Sequence, residues 1–205
     1  MPDRELEDQL HRAGYTHVAG IDEAGRGPLA GPVMAAAVIL PSDFACPELD
    51  DSKKLSPKKR TELYDAIVSF PGLIWATGSC SCEEIDELNI LRATHLAMRR
   101  ATEALKTAPD RCLIDGLPVK DFPFPHDAVV KGDGKSLSIA AASIIAKVQR
   151  DRLMKKIDTE FPAYGFANHQ GYGTKEHLTA LRNHGPCRHH RRSFQPVAQL
   201  SLPLD

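Results

Sequence analysis

Residues 16–40 read "THVAGIDEAGRGPLAGPVMAAAVIL", and this stretch indicates two strands joined by a short turn. "THVAGID" (16–22) has the pattern of a buried strand, and "VMAAAVIL" (33–40) has the pattern of a second one. A glycine-rich turn joins them, so the sequence predicts a strand pair connected as a hairpin. Asp22 and Glu23 end the first strand, where two adjacent carboxylates are costly unless their charge is compensated.

The rest of the chain alternates predicted helices and strands. Ser56 is a candidate N-cap and Pro57 a candidate first helical residue, and Pro71-Gly72 should end that helix. Further strands are predicted at 73–80, 111–115 and 127–134, and further helices at 89–106 and 138–157. This alternation indicates the α/β class, and the initial hairpin indicates a mixed sheet.

The composition is that of an ordinary globular protein with an uneven charge distribution. The 205 residues are 42% hydrophobic and 26% charged, with a formal net charge of −1, and suit one domain over 1–205. Between residues 131 and 192, however, twelve Lys and Arg face five Asp and Glu. A solvated charge run is the ordinary explanation, but one basic face suited to a polyanion such as nucleic acid explains the clustering better.

The five cysteines show no paired spacing, which argues against a disulfide framework and against a structural zinc site. Cys187 with His189 and His190 is a weaker metal candidate, because a second pair of ligands is missing. The first residues are polar and acidic, unlike a signal peptide, and the apolar run at 33–40 is too short to cross a bilayer. We therefore expect a reduced, cytoplasmic protein with no membrane partner.

The predicted helix at 138–157 is apolar nearly all round in its first half, and should be buried. Ser143, Lys147 and Arg150 nevertheless share one face through their spacing of four and three. A polar stripe on a buried helix needs a partner, and an anion is the natural candidate. The alternative is a helix end that emerges into solvent.

Four carboxylates lie at the ends of predicted strands or in their loops. Asp22 and Glu23 end the first strand, Asp115 ends "CLID", and Asp133 lies in "KGDG". Several carboxylates together repel one another, and a divalent cation resolves that conflict. Because the ligands offer oxygen only, Mg²⁺ or Mn²⁺ is favoured over zinc.

The motifs together resemble a known family, bacterial ribonuclease HII, the type 2 ribonuclease H. They are "GIDEAGRGPLAGPV", "DSKKL", "LIDG", "KGD…SIAAASIIAKVQRDR", "GYGTKEH" and "HRRSF", in order from about residue 18 to 196. The resemblance implies a ribonuclease H-like fold, with a central five-stranded mixed sheet flanked by helices and a C-terminal helical segment. The sheet core with the carboxylates would span about 16–135, and the basic helical segment that binds nucleic acid about 136–196.

The resemblance also implies an activity. The expected reaction is endonucleolytic cleavage of the RNA strand of RNA–DNA hybrids, and cleavage 5′ of single ribonucleotides embedded in duplex DNA, leaving 3′-hydroxyl and 5′-phosphate ends. By motif position, Asp22, Glu23 and Asp115 would hold metal, with Asp133 as the fourth active-site acid. Two divalent ions, Mg²⁺ or Mn²⁺, are expected, in a monomeric enzyme.

The family's substrate contacts can be carried over in the same way. Gly25, Arg26 and Gly27 match the motif that reads the ribose 2′-hydroxyl, and Tyr172 matches the tyrosine that stacks on the DNA side of the junction. The expected phosphate contacts are Lys53, Ser143 and Lys147. The tail "GPCRHHRRSFQPV" is richer in histidine than the resemblance leads us to expect, and its protonation below about pH 6.5 would modestly strengthen binding.

Three other functions explain less of the sequence. A non-catalytic module that binds RNA–DNA hybrids accounts for the basic segment, but not for four acids beside a phosphate channel. A nucleotide-binding loop at 25–32 would need a Gly-Lys-Ser/Thr ending and a helix after it, and has neither. A type 1 ribonuclease H, which needs a run of ribonucleotides, is disfavoured by "GRG" and "GYGT".

Overall fold

The five strands form one mixed sheet in a computed structural model that describes residues 1–49, 52 and 55–200. Its order is β3-β2-β1-β4-β5, with β1 paired antiparallel to β2 and parallel to β4. The strands are β1 (Val18–Ala24), β2 (Val33–Ile39), β3 (Ile74–Cys80), β4 (Arg111–Asp115) and β5 (His126–Val129). The hairpin and the mixed sheet are confirmed.

Eight α-helices are present in the described part of the chain: α1 (Glu5–Arg12), α2 (Pro57–Val68), α3 (Cys82–Leu88), α4 (Ile90–Glu103), α5 (Leu137–Glu160), α6 (Phe166–His169), α7 (Lys175–His184) and α8 (Val197–Leu200). Helix α2 begins as predicted, with Ser56 accepting a hydrogen bond from the Lys59 amide and Pro57 as its first residue. The side chain of Asn89 caps α4 in the same way. Local capping chemistry therefore set these helix starts.

Helices cover both faces of the sheet. Ala35 and Ala37 of β2 belong to the core that includes α4, whereas Ala36 and Val38 belong to the core that includes α5. All seven residues of β2 are consequently buried. On β1, a methyl group at Gly20 would lie 2.2 Å from the backbone of α5, so only glycine permits this close packing.

Two predicted strand boundaries were wrong. Strand β1 runs two residues beyond Asp22, to Ala24, because its pairing with β2 continues through Glu23 and Ala24. Strand β5 ends at Val129 rather than near residue 134. Lys131 adopts a left-handed conformation with φ of 57°, and the chain then enters a 3₁₀ turn, Gly132–Gly134, that carries Asp133.

Candidate active site

Three of the four predicted acids line one cleft of about 240 Å³: Asp22, Glu23 and Asp115. Strands β1 and β4 are parallel neighbours, with Ile21 opposite Ile114, so the residues that follow each of these, Asp22 and Asp115, lie at the same edge of the sheet. The β1 hairpin continues past this point and carries Glu23 into the same cleft. The parallel register therefore brings together carboxylates that are far apart in sequence.

Asp22 lies in an environment that opposes its negative charge. The residue is buried, at 4% exposure, and burial raises the pKa of its carboxyl well above the usual value, with further contributions from the charges of Glu23 and Asp115. Hydrogen bonds from the Ser143 hydroxyl and from the Glu23 amide, the latter at 2.7 Å, act in the opposite direction. A positive charge in the cleft would relieve both the repulsion and the desolvation.

Asp133 is buried but does not line the cleft with the other three acids. Its 3₁₀ turn is nonetheless fastened to one of them, because the Gly132 amide donates a 2.6 Å hydrogen bond to Oδ1 of Asp115. Asp133 thus follows directly after a residue that orients Asp115.

Residues 25–32, which we call the glycine loop, form one wall of the cleft through Gly25, Arg26 and Gly27. Gly25 has a φ of 92°, a left-handed conformation that glycine tolerates without strain. Arg26 extends into solvent and its Nη1 pairs with Oε1 of Glu23 at 3.2 Å. The loop backbone is thus placed beside the carboxylates.

Tyr172 lines the same cleft, next to the glycine loop. Its side chain is 45% exposed, and a methyl group at Gly27 would contact Cε1 of its ring at 3.7 Å. The turn that carries it is fixed on both sides, because the Leu29 amide donates to the Gly171 carbonyl at 2.8 Å and Nδ1 of His177 lies 2.9 Å from the Tyr172 carbonyl. An exposed aromatic face on a rigid turn is well suited to stacking.

The helix α5 supplies two polar side chains to the cleft, Ser143 and Lys147. The hydroxyls of Ser143 and Ser52 are 2.9 Å apart, and Lys147 pairs with Asp151 at 2.7 Å. Lys53 lies outside the described residues.

The structure adds Ser52 and Arg60 to the cleft lining, which the sequence analysis missed. Arg60 donates from Nη1 to the Ser52 carbonyl at 2.9 Å, so it holds the segment from which Ser52 projects. Ser52 lies within the quoted "DSKKL" motif, but nothing in the sequence around Arg60 distinguished it from its basic neighbours.

The third member of the predicted polar stripe, Arg150, does not face an anion. It is 1% exposed, and its guanidinium donates to the carbonyls of Ala30, Pro32 and Gln170 at 2.9–3.0 Å. The prediction was wrong for this residue because the glycine loop offers it backbone acceptors that sequence spacing does not reveal.

The predicted effect of the histidine-rich tail (185–197) is wrong for His190, and buried His177 of α7 packs beside it. Both are buried, and burial lowers their pKa values, that of His190 to about 4. His190 is therefore neutral between pH 6.5 and pH 5 and adds no positive charge for a polyanion there. Cys187 Sγ lies 3.2 Å from Nδ1 of His190, but this contact belongs to a hydrogen-bonded core rather than to a metal cage.

A profile of the ribonuclease HII family matches residues 19–197, which include the cleft and both of its walls. The chain belongs to the ribonuclease HII family. It is therefore a type 2 ribonuclease H, a hydrolase.

Two curated members illustrate the similarity. The ribonuclease HII of Desulfitobacterium hafniense (strain DSM 10664 / DCB-2) is 55% identical over 193 residues, covering 94% of this chain and 74% of that protein. The ribonuclease HII of Chlamydia muridarum is 52% identical over 198 residues, covering 95% and 89%.

Solved structures share the ribonuclease HII fold. Ribonuclease H2 from Pyrococcus horikoshii superposes with a TM-score of 0.76 at 24% identity, covering 90% of this chain and 97% of that one. The ribonuclease HII of Archaeoglobus fulgidus, solved in complex with PCNA, has a TM-score of 0.70 at 28% identity, covering 88% and 96%. A Bst-RNase HIII in complex with Mn²⁺ has a TM-score of 0.67 at 17% identity, covering 93% and 70%.

The cleft of this ribonuclease HII fits a hard divalent cation. Asp22, Glu23 and Asp115 offer only oxygen ligands, and their mutual repulsion calls for positive charge. Among residues 1–49, 52 and 55–200, no group of three or more His, Cys, Asp or Glu side chains is close enough together to hold a metal ion without other ligands. Mg²⁺ does not need one, because it is usually bound through one or two carboxylates together with water and substrate phosphate.

Among the helices described for this ribonuclease HII, none is both long and apolar enough to cross a membrane. The longest, α5, carries charged residues along its second half.

Proposed function

We propose that this ribonuclease H, an endonuclease acting on the RNA strand of RNA–DNA hybrids, also cuts 5′ of single ribonucleotides embedded in duplex DNA. The products are 3′-hydroxyl and 5′-phosphate ends. The observation that carries the proposal is the meeting, in one cleft, of three carboxylates, a glycine-bracketed backbone and an exposed tyrosine ring.

Asp22, Glu23 and Asp115 hold the divalent ions in this proposal, and Asp133 completes the acidic set. The chemistry that two bound Mg²⁺ or Mn²⁺ ions supply is activation of a water and stabilisation of charge on the leaving 3′ oxygen. The protein holds the carboxylates at one edge of the sheet through the β1–β4 register. It also holds Asp115 in orientation through the Gly132 amide.

Recognition of the ribose falls to the glycine loop. Gly25 and Gly27 lack side chains that would hold a sugar away from the backbone, so the amides and carbonyls of 25–27 can touch the 2′-hydroxyl. That hydroxyl is the group by which RNA differs from DNA at this point. Tyr172, whose ring lies close to Gly27, stacks on the neighbouring deoxyribose side of the junction.

The phosphate backbone lies along α5 in this proposal. Ser143 and Lys147 reach the cleft from that helix, and Lys53 joins them by its motif position. Phosphate contacts of this kind fix register and carry no sequence information, which suits an enzyme that must act on any sequence.

The test is a labelled duplex with one ribonucleotide, incubated with the protein in Mg²⁺, in Mn²⁺ and in chelator. We expect one product, cut 5′ of the ribonucleotide, with either metal and none in chelator. The Asp22→Asn variant should give no product, whereas Asp65→Asn should cut normally, because the Asp65 side chain is 64% exposed on α2, where it pairs with Arg152.

Other products would contradict specific parts of the proposal. Cleavage of continuous hybrids alone would remove the single-ribonucleotide activity and leave a ribonuclease H. Tight binding without cleavage in any metal would favour the non-catalytic binding module. Full activity of Asp22→Asn would remove the metal assignment.

A further inference from the structure

Two buried arginines hold the glycine loop from beneath. Arg191 is completely buried, and its guanidinium donates to three loop carbonyls. Nη1 reaches the Arg26 carbonyl at 2.9 Å and Nη2 the Gly25 carbonyl at 2.5 Å, while Nε and Nη2 reach the Gly31 carbonyl at 3.0 and 2.8 Å. The fork of the guanidinium thus spans both ends of the loop.

Arg150 holds the same loop from α5. Its Nε and Nη2 donate to the Pro32 and Ala30 carbonyls at 2.9 and 3.0 Å, and its Nη1 donates to the Gln170 carbonyl at 3.0 Å. The last bond joins the loop to the turn that carries Tyr172. A methyl group at Gly25 would lie 2.0 Å from Nε of Arg150, so the loop rests directly on this side chain.

Burying these two guanidinium groups is unfavourable for the free energy of folding. Each guanidinium is removed from water, and burial, followed by the nearby charge of Arg150, lowers the pKa of Arg191 to about 10. Replacing buried charges with apolar side chains is often neutral or stabilising, so stability alone does not explain two of them here. What they provide is an exact backbone orientation, because an arginine fork fixes several acceptors at once.

The orientation that they fix concerns the backbone beside the carboxylates. In a trans peptide the C=O and the following N–H point in opposite directions. Because the carbonyls of Gly25 and Arg26 point to the buried Arg191, the amides of Arg26 and Gly27 must point away from it. Gly25, Arg26 and Gly27 line the cleft, whereas Arg191 is not among its lining residues.

We propose that Arg191, together with Arg150, is a positioning residue that sets the preference for a ribose over a deoxyribose. The inference rests on the proposed function, since it concerns the same ribose-reading loop. By holding the two carbonyls, Arg191 presents the amides of Arg26 and Gly27 as preorganised donors for a 2′ oxygen. A loosened loop would still bind duplex, through its phosphates, but would lose discrimination.

The experiment measures discrimination by binding, without turnover. Full-length protein carrying Asp22→Asn is titrated against two labelled duplexes of one sequence, one all DNA and one with a single ribonucleotide. Arg191→Lys keeps the charge and loses the fork, and Arg188→Lys is the matched control. Arg188 lies three residues before Arg191 in the chain. Its side chain is 65% exposed and pairs with Glu160.

We expect Arg191→Lys to lower the ratio of the two affinities by roughly tenfold, the order of one weakened hydrogen bond to the 2′ oxygen. Its affinity for the all-DNA duplex should be unchanged, and Arg188→Lys should retain the full ratio. A general loss of structure would lower both affinities together and leave the ratio unchanged, which would overturn the proposal.

Arg150→Lys provides a second test from the other side of the loop, and should lower the same ratio while melting as a folded protein. If both lysine variants fail to fold, the two arginines serve stability and the positioning role is overturned. If the parent shows no preference for the ribonucleotide, the proposed reading of ribose fails first. If the parent discriminates and Arg191→Lys discriminates equally, only the positioning role fails.

Discussion

The Nε2 atoms of His177 and His190 lie 3.0 Å apart inside the C-terminal segment. The Cys187 amide donates to Nδ1 of His190 at 3.0 Å, so His190 carries its proton on Nε2 and donates it to His177. His177 then carries its proton on Nδ1, 2.9 Å from the Tyr172 carbonyl. This chain of hydrogen bonds is complete only when both rings are neutral.

Stability should therefore fall in acid. Burial, followed by the charge of His177, lowers the pKa of His190 to about 4, below the usual 6.5. A histidine with a lowered folded-state pKa contributes its full stability above pH 6.5 and loses it as the pH falls towards 4. We expect a loss of about 3 kcal/mol over that window, seen as a lower denaturation midpoint in urea.

The histidine responsible can be separated from the other titrating groups. His190→Asn should lower stability at pH 7 but flatten its dependence on pH between 6.5 and 4. His184→Asn, at an exposed position in the last turn of α7, should keep the slope of the parent. An unchanged slope in His190→Asn would show that His190 is not the group that titrates.

Asp22→Asn should raise the melting temperature of the metal-free protein while abolishing cleavage. The carboxylate is buried beside Glu23 and Asp115, and each of these facts raises its pKa, so its charge destabilises the fold at neutral pH. An uncharged amide removes that cost. Differential scanning calorimetry with and without Mn²⁺ should show a higher midpoint without metal and a smaller shift on adding it.

Two outcomes would contradict the prediction for Asp22→Asn. A lower midpoint without metal would mean that its hydrogen bonds with Ser143 and the Glu23 amide outweigh the repulsion. A metal-induced shift as large as that of the parent would show that Asp22 contributes little to metal binding.

Tyr172→Ala should impair cleavage at a single ribonucleotide more than cleavage of a continuous hybrid. Stacking of an aromatic ring on a base or sugar is worth about 1–3 kcal/mol, so kcat/KM on the single-ribonucleotide duplex should fall roughly tenfold to a hundredfold. Tyr172→Phe retains the ring and should stay close to the parent. Equal losses on both substrates would argue against a role at the junction.

Glu7→Ala should destabilise the fold without altering the cleft. Glu7 is buried, and its Oε1 accepts hydrogen bonds from the Ser138 amide at 2.8 Å and from the hydroxyls of Ser136 and Ser138 at 2.5 and 2.6 Å. The carboxylate thereby satisfies donors in the first turn of α5, where negative charge is favourable. We expect a loss of about 2 kcal/mol in the free energy of unfolding.

The control for Glu7 is Glu5→Ala on the same helix, where the side chain is 61% exposed and pairs with Arg12 at 2.9 Å. A surface ion pair of this kind contributes little. Melting of the Glu5 variant should match the parent, and kcat/KM of both variants should be unchanged. Equal melting of the two variants would mean that α5 does not depend on Glu7.

Much of the fold could be predicted from local sequence. The apolar runs at 16–22 and 33–40 predicted β1 and β2, which are largely buried, and the mixed run at 73–80 predicted β3, which is mostly half-buried. Ser56 predicted the start of α2 because capping acts over three residues, and apolar spacing over 89–106 predicted α4. Strand ends were less predictable, since β1 continues wherever β2 continues to pair with it.

The candidate site could likewise be predicted only in part. The sequence motifs predicted Asp22, Glu23 and Asp115 as site residues. The parallel register of β1 and β4 brings them into one cleft, because the two strands end at the same edge of the sheet. Asp133, on a 3₁₀ turn, lies outside that lining. Its role as a fourth acid stays a prediction.

Local sequence was enough to predict the five strands and the helices α2, α4 and α5, because propensity, capping and hydrophobic pattern act over a few residues. The partners of Arg150 and Arg191, by contrast, depend on the folded chain. Arg150 was predicted to face an anion and Arg191 was one of many cations in the basic segment, yet both are buried against carbonyls of the glycine loop. A side chain's partner depends on which backbone groups the fold leaves unpaired, and that is decided by segments up to 166 residues apart.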